Sequence, residues 1–374
     1  MTHNMDSKPQ VMRETKNKIR VDFERTSLKE RMKVKYLSVN FAKNVLWYIF
    51  RLLLLIGIAF VILKPFYTIV IRSFMAPADF MDTTVVNVPR GLSAAIYKSI
   101  IVDIGYFKTF FLTLALSLGC ALLQTLSCAL IGYGVAKFKF KGAKLVFLMV
   151  VLSLAIPHGT MQSAIFYRFQ HLDIFGIFNF LAGGARTGIE GIDAVLSKIH
   201  ILPDNFVGGI STIKSVIPLF LLSMTGLAFK NGLYVFMLRQ FFRGVPDELE
   251  ESAYLDGANT LRTFVQVILP LSIPMLITVF LFAFCWQWTD DFYIPLFFMA
   301  DRPALMTYLP QASQNIPASL VSIFKEATAQ SPSASYRQAI TYACGLMASA
   351  PLIVLYLFCQ KYLVQGIERS GIVG

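Results

Sequence analysis

The sequence predicts an all-α, polytopic membrane protein of six transmembrane helices with both termini cytoplasmic, and three observations carry that class. The 374 residues are 56% hydrophobic and only 15% charged, with a mean hydropathy of +0.60, a composition outside the range of ordinary soluble domains. Six apolar stretches, at about 46–71, 109–136, 145–167, 215–238, 268–289 and 340–363, are long enough to cross a hydrocarbon core that needs ~20 helical residues. Basic residues gather on one side of that series, as the positive-inside rule requires of cytoplasmic segments.

Residues 1–44 form a basic N-terminal tail, and between Met1 and Leu46 eleven Lys or Arg stand against five Asp or Glu. Such a cluster stays cytoplasmic beside the first span and reads as a mobile or surface-lying helix. Its polarity over some forty residues predicts no cleaved signal peptide. Arg51 and Lys64 bracket the apolar run of the first stretch, where long side chains snorkel toward headgroups. Lys137, Lys139, Lys141 and Lys144 crowd the second connection and place it in the cytoplasm. The first, third and fifth connections are then external, and their basic residues (Arg90 and Lys98, Arg186 and Lys198, Arg302 and Lys325) are diluted by acids. The external loop 168–214 is extended, with a glycine-rich segment at 182–188 and a short helix expected around Ala194.

The net charge of +12 raises the question of nucleic acid. The basic residues lie between apolar runs and not on a readout face, so membrane lipid accounts for them and no nucleic acid partner is expected. Cys120, Cys128, Cys285, Cys344 and Cys359 all fall in apolar stretches at no redox or zinc spacing, which predicts free thiols and no metal site. The four histidines, His3, His158, His171 and His200, are scattered without a metalloprotease pattern, so catalysis in this chain is not expected.

The fourth connection, 239–270, is the most informative segment. From Arg243 to Thr260 it has the pattern of a capped amphipathic helix: Pro246 suits the first helical position, Asp247 and Glu248 the positive end of the dipole, and Gly257 a left-handed C-terminal cap. Thr260 starts a second helix that runs into Pro270 and the fifth span, so a push on the first helix is expected to pass directly into a membrane helix. Ser252, Ala253 and Gly257 lie near one side and admit close approach, while Glu250, Glu251 and Asp256 offer acids to a basic partner. Acid in a cytoplasmic loop points to a protein partner over lipid, although a surface helix with solvated charges has the same pattern.

Glu251-Ser252-Ala253, Gly257 four residues on, and Leu269-Pro270 twelve and thirteen residues after that glycine together resemble the EAA loop of binding-protein-dependent ABC importer permeases. Ser252 replaces the usual alanine and Val267 the usual isoleucine, both conservative in size. Leu238-Arg239-Gln240-Phe241-Phe242 and Val364-Gln365-Gly366 resemble the maltose-type carbohydrate permease subgroup, over about residues 45–374. The resemblance implies an ABC importer (MetI-like) permease fold over that region and ATPase-coupling roles for Glu251, Ser252, Ala253, Asp256 and Gly257. It implies a similar contact for the tail Glu368–Gly374. The implied partners are a second homologous permease, two ATP-binding cassette subunits and an extracytoplasmic solute-binding protein. No phosphate-binding Gly-x-x-x-x-Gly-Lys motif occurs, Gly183–Gly188 being followed by Ile189, so no cofactor is expected in this chain and ATP and Mg belong to the partner subunit.

At the end of the fifth stretch, Trp286, Gln287, Trp288, Asp290 and Asp291 combine aromatic rings with carboxylates. Rings stack on sugar faces and carboxylates accept hydroxyl protons, so these residues form a possible carbohydrate path; an interfacial aromatic belt has the same composition. Gln124, Ser127, His158 and Gln162 are polar residues within spans that either line this path or join helices. A secondary transporter, or an ABC importer permease for a non-sugar solute, shares the six-span pattern, but the former has no use for an EAA loop.

Overall fold

The computed structural model describes residues 11–14, 20–23, 39–85, 88–173, 211–228, 230–299, 303 and 305–371. It divides into two compact units, residues 1–68 and 69–374. In the first unit β1 (Val11–Glu14) and β2 (Arg20–Phe23) pair antiparallel, Val11 opposite Phe23 and Glu14 opposite Arg20. The tail was expected to be mobile or helical; the polar–apolar alternation of Arg20-Val21-Asp22-Phe23 is the period-2 signal that favours a strand there. α1 (Val39–Ser73) follows, with the residues from Lys43 forming an apolar helix of 31 residues. At 1.5 Å per residue that is about 46 Å, longer than a ~30 Å hydrocarbon core. Arg51 and Lys64 turn back over neighbouring rings, their charged groups 4.9 Å from the centre of Trp47 and 5.7 Å from that of Phe60.

The second unit is helical. α2 (Ala95–Val102) precedes α3 (Tyr106–Lys137), followed by α4 (Ala143–Ala155), α5 (His158–Gln170), α6 (Ile217–Thr225), α7 (Asn231–Arg243) and α8 (Asp247–Leu255). Then come α9 (Thr260–Leu271), α10 (Ile273–Trp288), α11 (Tyr293–Phe298), α12 (Ala318–Thr328) and α13 (Ala334–Gly371). α3 is the central element and packs against α6, α7 and α10. Small residues allow this: a Cβ on Gly132 would lie 3.0 Å from Leu238 Cβ and 3.2 Å from the Arg239 amide nitrogen, and one on Gly119 2.9 Å from the Phe220 ring. Close backbone approach of this kind is how apolar helices associate where lipid removes the hydrophobic drive between them.

Among the described residues, three helices, Lys43–Ser73, Tyr106–Lys137 and Ala334–Val364, are long and apolar enough to cross a bilayer unbroken. The other three predicted spans are interrupted, and each interruption has a local cause. The stretch 145–167 is α4 and α5 meeting at 109°, because Pro157 removes an amide donor and biases Ile156 out of helix. The stretch 215–238 stops at Gly226 in the left-handed region (φ 74°), whose successors Leu227 and Ala228 both donate to the Leu222 carbonyl, and restarts after Lys230 (φ 68°). The stretch 268–289 bends by 80° between α9 and α10 at Ser272, with Pro274 opening the second helix and a π-helical turn at Phe264–Ile268 in the first.

Of the predicted external loops, the first contains a 3-10 turn, Pro77–Met81, and α2; the fifth contains a 3-10 segment, Met306–Gln314, and α12. Ser99 and Ser319 both donate to Asp103, joining α2 to α12. Most of loop 168–214, including the 182–188 glycines and Ala194, lies outside the described residues, as do 372–374 of the C-terminal tail.

Replacing Gly132 with Val should force α3 from α7 and lower stability by about 1–3 kcal/mol, the usual cost of overpacking. Thermal denaturation of the purified protein in detergent checks this, and an unchanged midpoint would show that the contact has slack.

Candidate functional site

The connection after α7 folds as its local signals dictate. Pro246 takes the N-cap position (φ −57°, ψ 137°), so Asp247 is the first helical residue, one place later than the proline pattern placed the start. Asp247, Glu248 and Glu250 occupy the first turn, where the helix dipole favours acid. Gly257 (φ 79°) ends α8 in the left-handed cap read from sequence: its amide donates to Tyr254 O at 3.0 Å and that of Ala258 to Ala253 O at 3.0 Å. Asn259 then caps α9, its Oδ1 accepting the Arg262 amide at 2.8 Å.

α8 sorts its residues into two faces. Glu250 and Ala253 are buried against the chain, each about 8% exposed, while Glu251, Ser252, Tyr254, Leu255, Asp256 and Gly257 are exposed. Two expectations change. Ala253 packs inward and does not share the small outward surface with Ser252 and Gly257. Glu250 is engaged within the chain and is no acid for an external partner. Sequence reasoning missed the exposed apolar residues of this connection: Leu255 is 89% exposed, and Leu249, Tyr254 and Leu261 are exposed as well. An exposed leucine every few residues on an acidic helix was legible as a signal, but only the fold shows which ones stay uncovered.

Glu250 faces the end of α3. Lys137, its side chain 7% exposed, donates to Val245 O at 2.7 Å and to Asp247 Oδ1, and lies 3.3 Å from Glu250 Oε1. Tyr133, one turn earlier, donates to Glu250 Oε2 at 3.4 Å, and its ring packs on Phe264 and Phe242 at centroid distances of 4.7 and 5.7 Å. The Lys137 hydrogen bond and charge hold the Asp247 carboxyl below its ordinary range.

A second locus lies at the C-terminal end of α10. A cavity of roughly 270 Å³ is lined by Gln124, His158, Trp286, Gln287, Asp290 and Asp291, together with Ala228 and Tyr293. Residues from α3, the start of α5, the break before α7 and the end of α10 thus converge. Trp288 stands apart: it is buried, donates Nε1–H to Ala348 O at 3.0 Å and packs on Phe284 and Phe110. It lines instead a neighbouring cavity of roughly 400 Å³ with Thr307, Gln311 and Ser349, and Thr289 and Asp291 border both spaces.

The two carboxylates have different roles. Asp290 Oδ1 accepts the amides of Phe292 and Tyr293 at 3.0 and 2.9 Å, and Oδ2 accepts Gln287 Nε2 at 3.2 Å, so it fixes the entry to α11. Asp291 is exposed. Trp286 is 47% exposed, and Lys230 Nζ lies 4.8 Å from its ring centre. Gln124 Nε2 donates to Ser223 Oγ at 3.3 Å and Ser127 to Ser223 O at 2.8 Å, so these polar residues also join α3 to α6; Gln162 is exposed and outside the cavity lining.

Residues 129–369 match the family described as binding-protein-dependent transport system inner membrane component. The chain belongs to this family. The membrane component is 22% identical over 323 residues to the probable starch degradation products transport system permease protein AmyC of Thermoanaerobacterium thermosulfurigenes, covering 86% of this chain and 96% of that one. It is 28% identical over 141 residues to the inner membrane ABC transporter permease protein YcjP of Escherichia coli K12, a stretch covering 37% of this chain and 44% of the relative. A crystal structure of a bacterial ABC transporter involved in the import of the acidic polysaccharide alginate shares the fold, with TM-score 0.61 at 16% identity over 86% of this chain and 97% of that one. The family and the long apolar helices make this a multi-pass protein of the cell membrane.

Because the Asp247 carboxyl is held low in the folded chain, its contact with Lys137 stabilises α8 at neutral pH and is lost as pH falls through that lowered value. Protection of the α8 amides, their exchange relative to the intrinsic rate at each pH, should therefore stay constant down through about pH 4, where ordinary aspartates protonate, and fall only below it. Protection lost together with the protonation of solvated carboxylates would contradict the pairing.

Proposed function

We propose that this chain is the membrane-spanning permease subunit of an ATP-driven, binding-protein-dependent importer, and that its solute is an oligosaccharide or other carbohydrate. The observation that carries the reading is α8, an acidic helix with Leu255 almost wholly uncovered in a chain without a phosphate-binding loop. An exposed apolar group rimmed by charge is the composition of a protein docking surface. The ATPase that seats on it supplies ATP and Mg, and no covalent chemistry takes place in the permease.

Relatives support the solute class. Beside the starch-product permease stand an arabinooligosaccharide permease of Bacillus subtilis, 25% identical over 269 residues, and the diacetylchitobiose uptake permease DasC of Streptomyces coelicolor, 24% identical over 322. The cavity composition agrees: its lining combines an indole, the Asp291 carboxylate and the Gln287 and Gln124 amides, groups that suit sugar rings and hydroxyls. Asp291, on the border of both cavities, is the carboxylate a chain-like solute meets on passing between them.

The topology that fits is six passes, α1, α3, α4 with α5, α6 with α7, α9 with α10, and α13, with both termini and α8 in the cytoplasm beside Lys137, Lys139, Lys141 and Lys144. A second homologous permease, two ATP-binding subunits and an extracytoplasmic binding protein complete the assembly. ATP binding closes the ATPases, brings the two α8 helices together and turns the cavity outward; hydrolysis resets it.

Tagged chain purified under mild detergent should bring down an ATPase subunit whose hydrolysis rises with oligosaccharide-loaded binding protein. Recovery of the chain alone would favour a secondary transporter. Leu255→Asp and Glu251→Lys should each cut affinity for the ATPase by about thirtyfold, the ~2 kcal/mol scale of an interface hot spot, with membrane insertion intact. Asp291→Asn should raise the solute concentration for half-maximal uptake by about tenfold, the worth of one charged hydrogen bond, whereas Asp290→Asn should lower thermal stability. Equal effects at both positions would refute the division of roles.

A further inference from the structure

Two routes lead from α8 into the helix bundle. The route along the chain runs through α9, its π-helical turn, and Ser272 into α10. It turns by 80° at Ser272, whose hydroxyl donates to the Ile268 and Leu269 carbonyls at 2.7 and 3.0 Å. A helix pushed along its axis transmits displacement well, but a bend of this size, next to a wide turn and two prolines, converts axial motion into rotation about the elbow.

The second route crosses space. Lys137 is the last residue of α3, and its ammonium meets three oxygens of the α8 entry: Val245 O, Asp247 and Glu250. It is almost wholly buried, so its three donors have no substitute partner in water. Tyr133 ties Glu250 to α3 a second time and wedges its ring among Phe242, Phe264 and Phe138. Gly132 brings the α3 backbone against Leu238 and Arg239 of α7, the helix that leads into α8. From this anchor α3 runs unbroken to Tyr106. Gln124, on the cavity wall, lies thirteen residues from Lys137, about 20 Å along the helix at 1.5 Å per residue.

We propose that Lys137 is a positioning residue that latches α8 to α3, so that α3, and not the fifth apolar stretch, is the principal mechanical output of the docking loop. The inference rests on the reading of α8 as the ATPase-docking helix. On this account movement of α8 shifts α3 as a rod and changes the cavity wall at Gln124. The α9–α10 elbow acts as a compliant hinge that lets α8 move without dragging α10.

The test uses the complete transporter reconstituted in liposomes, with uptake, ATP hydrolysis and subunit recovery measured together. Lys137→Met should lower solute moved per ATP hydrolysed by about tenfold, the size of a coupling free energy between sites, while the ATPase subunit still copurifies and basal hydrolysis continues. Glu250→Gln should lower the same ratio, and Lys137→Arg, which keeps the charge and the donors that Val245 O and Asp247 accept, should keep most of it. Ser272→Gly, which loosens the elbow, should keep more than about half of wild-type uptake per ATP, because a hinge need not be stiff. Wild-type transport per ATP in Lys137→Met would overturn the latch. So would loss at Ser272→Gly with no loss at Lys137→Met. Where Lys137→Met does not assemble, a normal ratio in Glu250→Gln overturns it equally. Failure of the wild-type chain to recover any ATPase is a different result, since it removes the docking role of α8 itself.

Discussion

A backbone amide that leaves a helix inside a bilayer has no water to bond, and this constraint organises the molecule. Three of six apolar stretches leave helix part-way, and each repairs the loss locally. Leu227 and Ala228 share the Leu222 carbonyl, Thr160 donates its amide and hydroxyl to Pro157 O, and the Ser272 hydroxyl reaches back to Ile268 and Leu269. The breaks are also where function gathers. His158 follows the Pro157 break, Ala228 lies in the Gly226–Lys230 break, and both line the cavity that the end of α10 closes. Irregular backbone at membrane depth is tolerated where it is buried in protein or borders a cavity, so the breaks at Pro157 and Gly226 and the candidate solute path are one feature, while the Ser272 break lies at the opposite end of α10.

The same economy of polar groups divides the carboxylates. A buried ammonium needs its charge answered, and Lys137 donates to Val245 O and Asp247 and lies 3.3 Å from Glu250 Oε1. A turn into a short helix needs its first amides satisfied, and Asp290 takes those of Phe292 and Tyr293. What remains on the surface after these internal demands is Glu248, Glu251 and Asp256 on α8 and Asp291 at the cavity border. The segment carrying α8 and the cavity therefore follow one rule, in which neighbouring acids differ because one of each set completes the fold.

Much of this was legible in the chain. The apolar stretches appear where they were read, three of them interrupted, and the Gly257 cap of α8 and the Thr260 start of α9 follow from local signals, whereas Gln124, His158 and the end of α10 border one cavity through the packing of segments distant in the chain. Pro157, Gly226 and Pro274 were equally visible, yet averaging hydropathy over about twenty residues hides a single breaker, so broken spans read as straight ones. Trp288 could not be separated from Trp286 by composition, since both are tryptophans two residues apart near a helix end.

The sequence by itself determined the membrane class, the capped helix between the fourth and fifth stretches and the family motif on it. These depend on residues close together in the chain, where propensity, caps and dipole act. Only the tertiary structure decided which way that helix faces: Glu250 and Ala253 inward, Glu251, Ser252 and Leu255 outward. Spacing sets the angle between side chains on a helix but not the neighbour each one meets. That neighbour is Lys137, more than a hundred residues earlier in the chain, and what joins the two is the close passage of α3 over α7 at Gly132, a contact that no local pattern encodes.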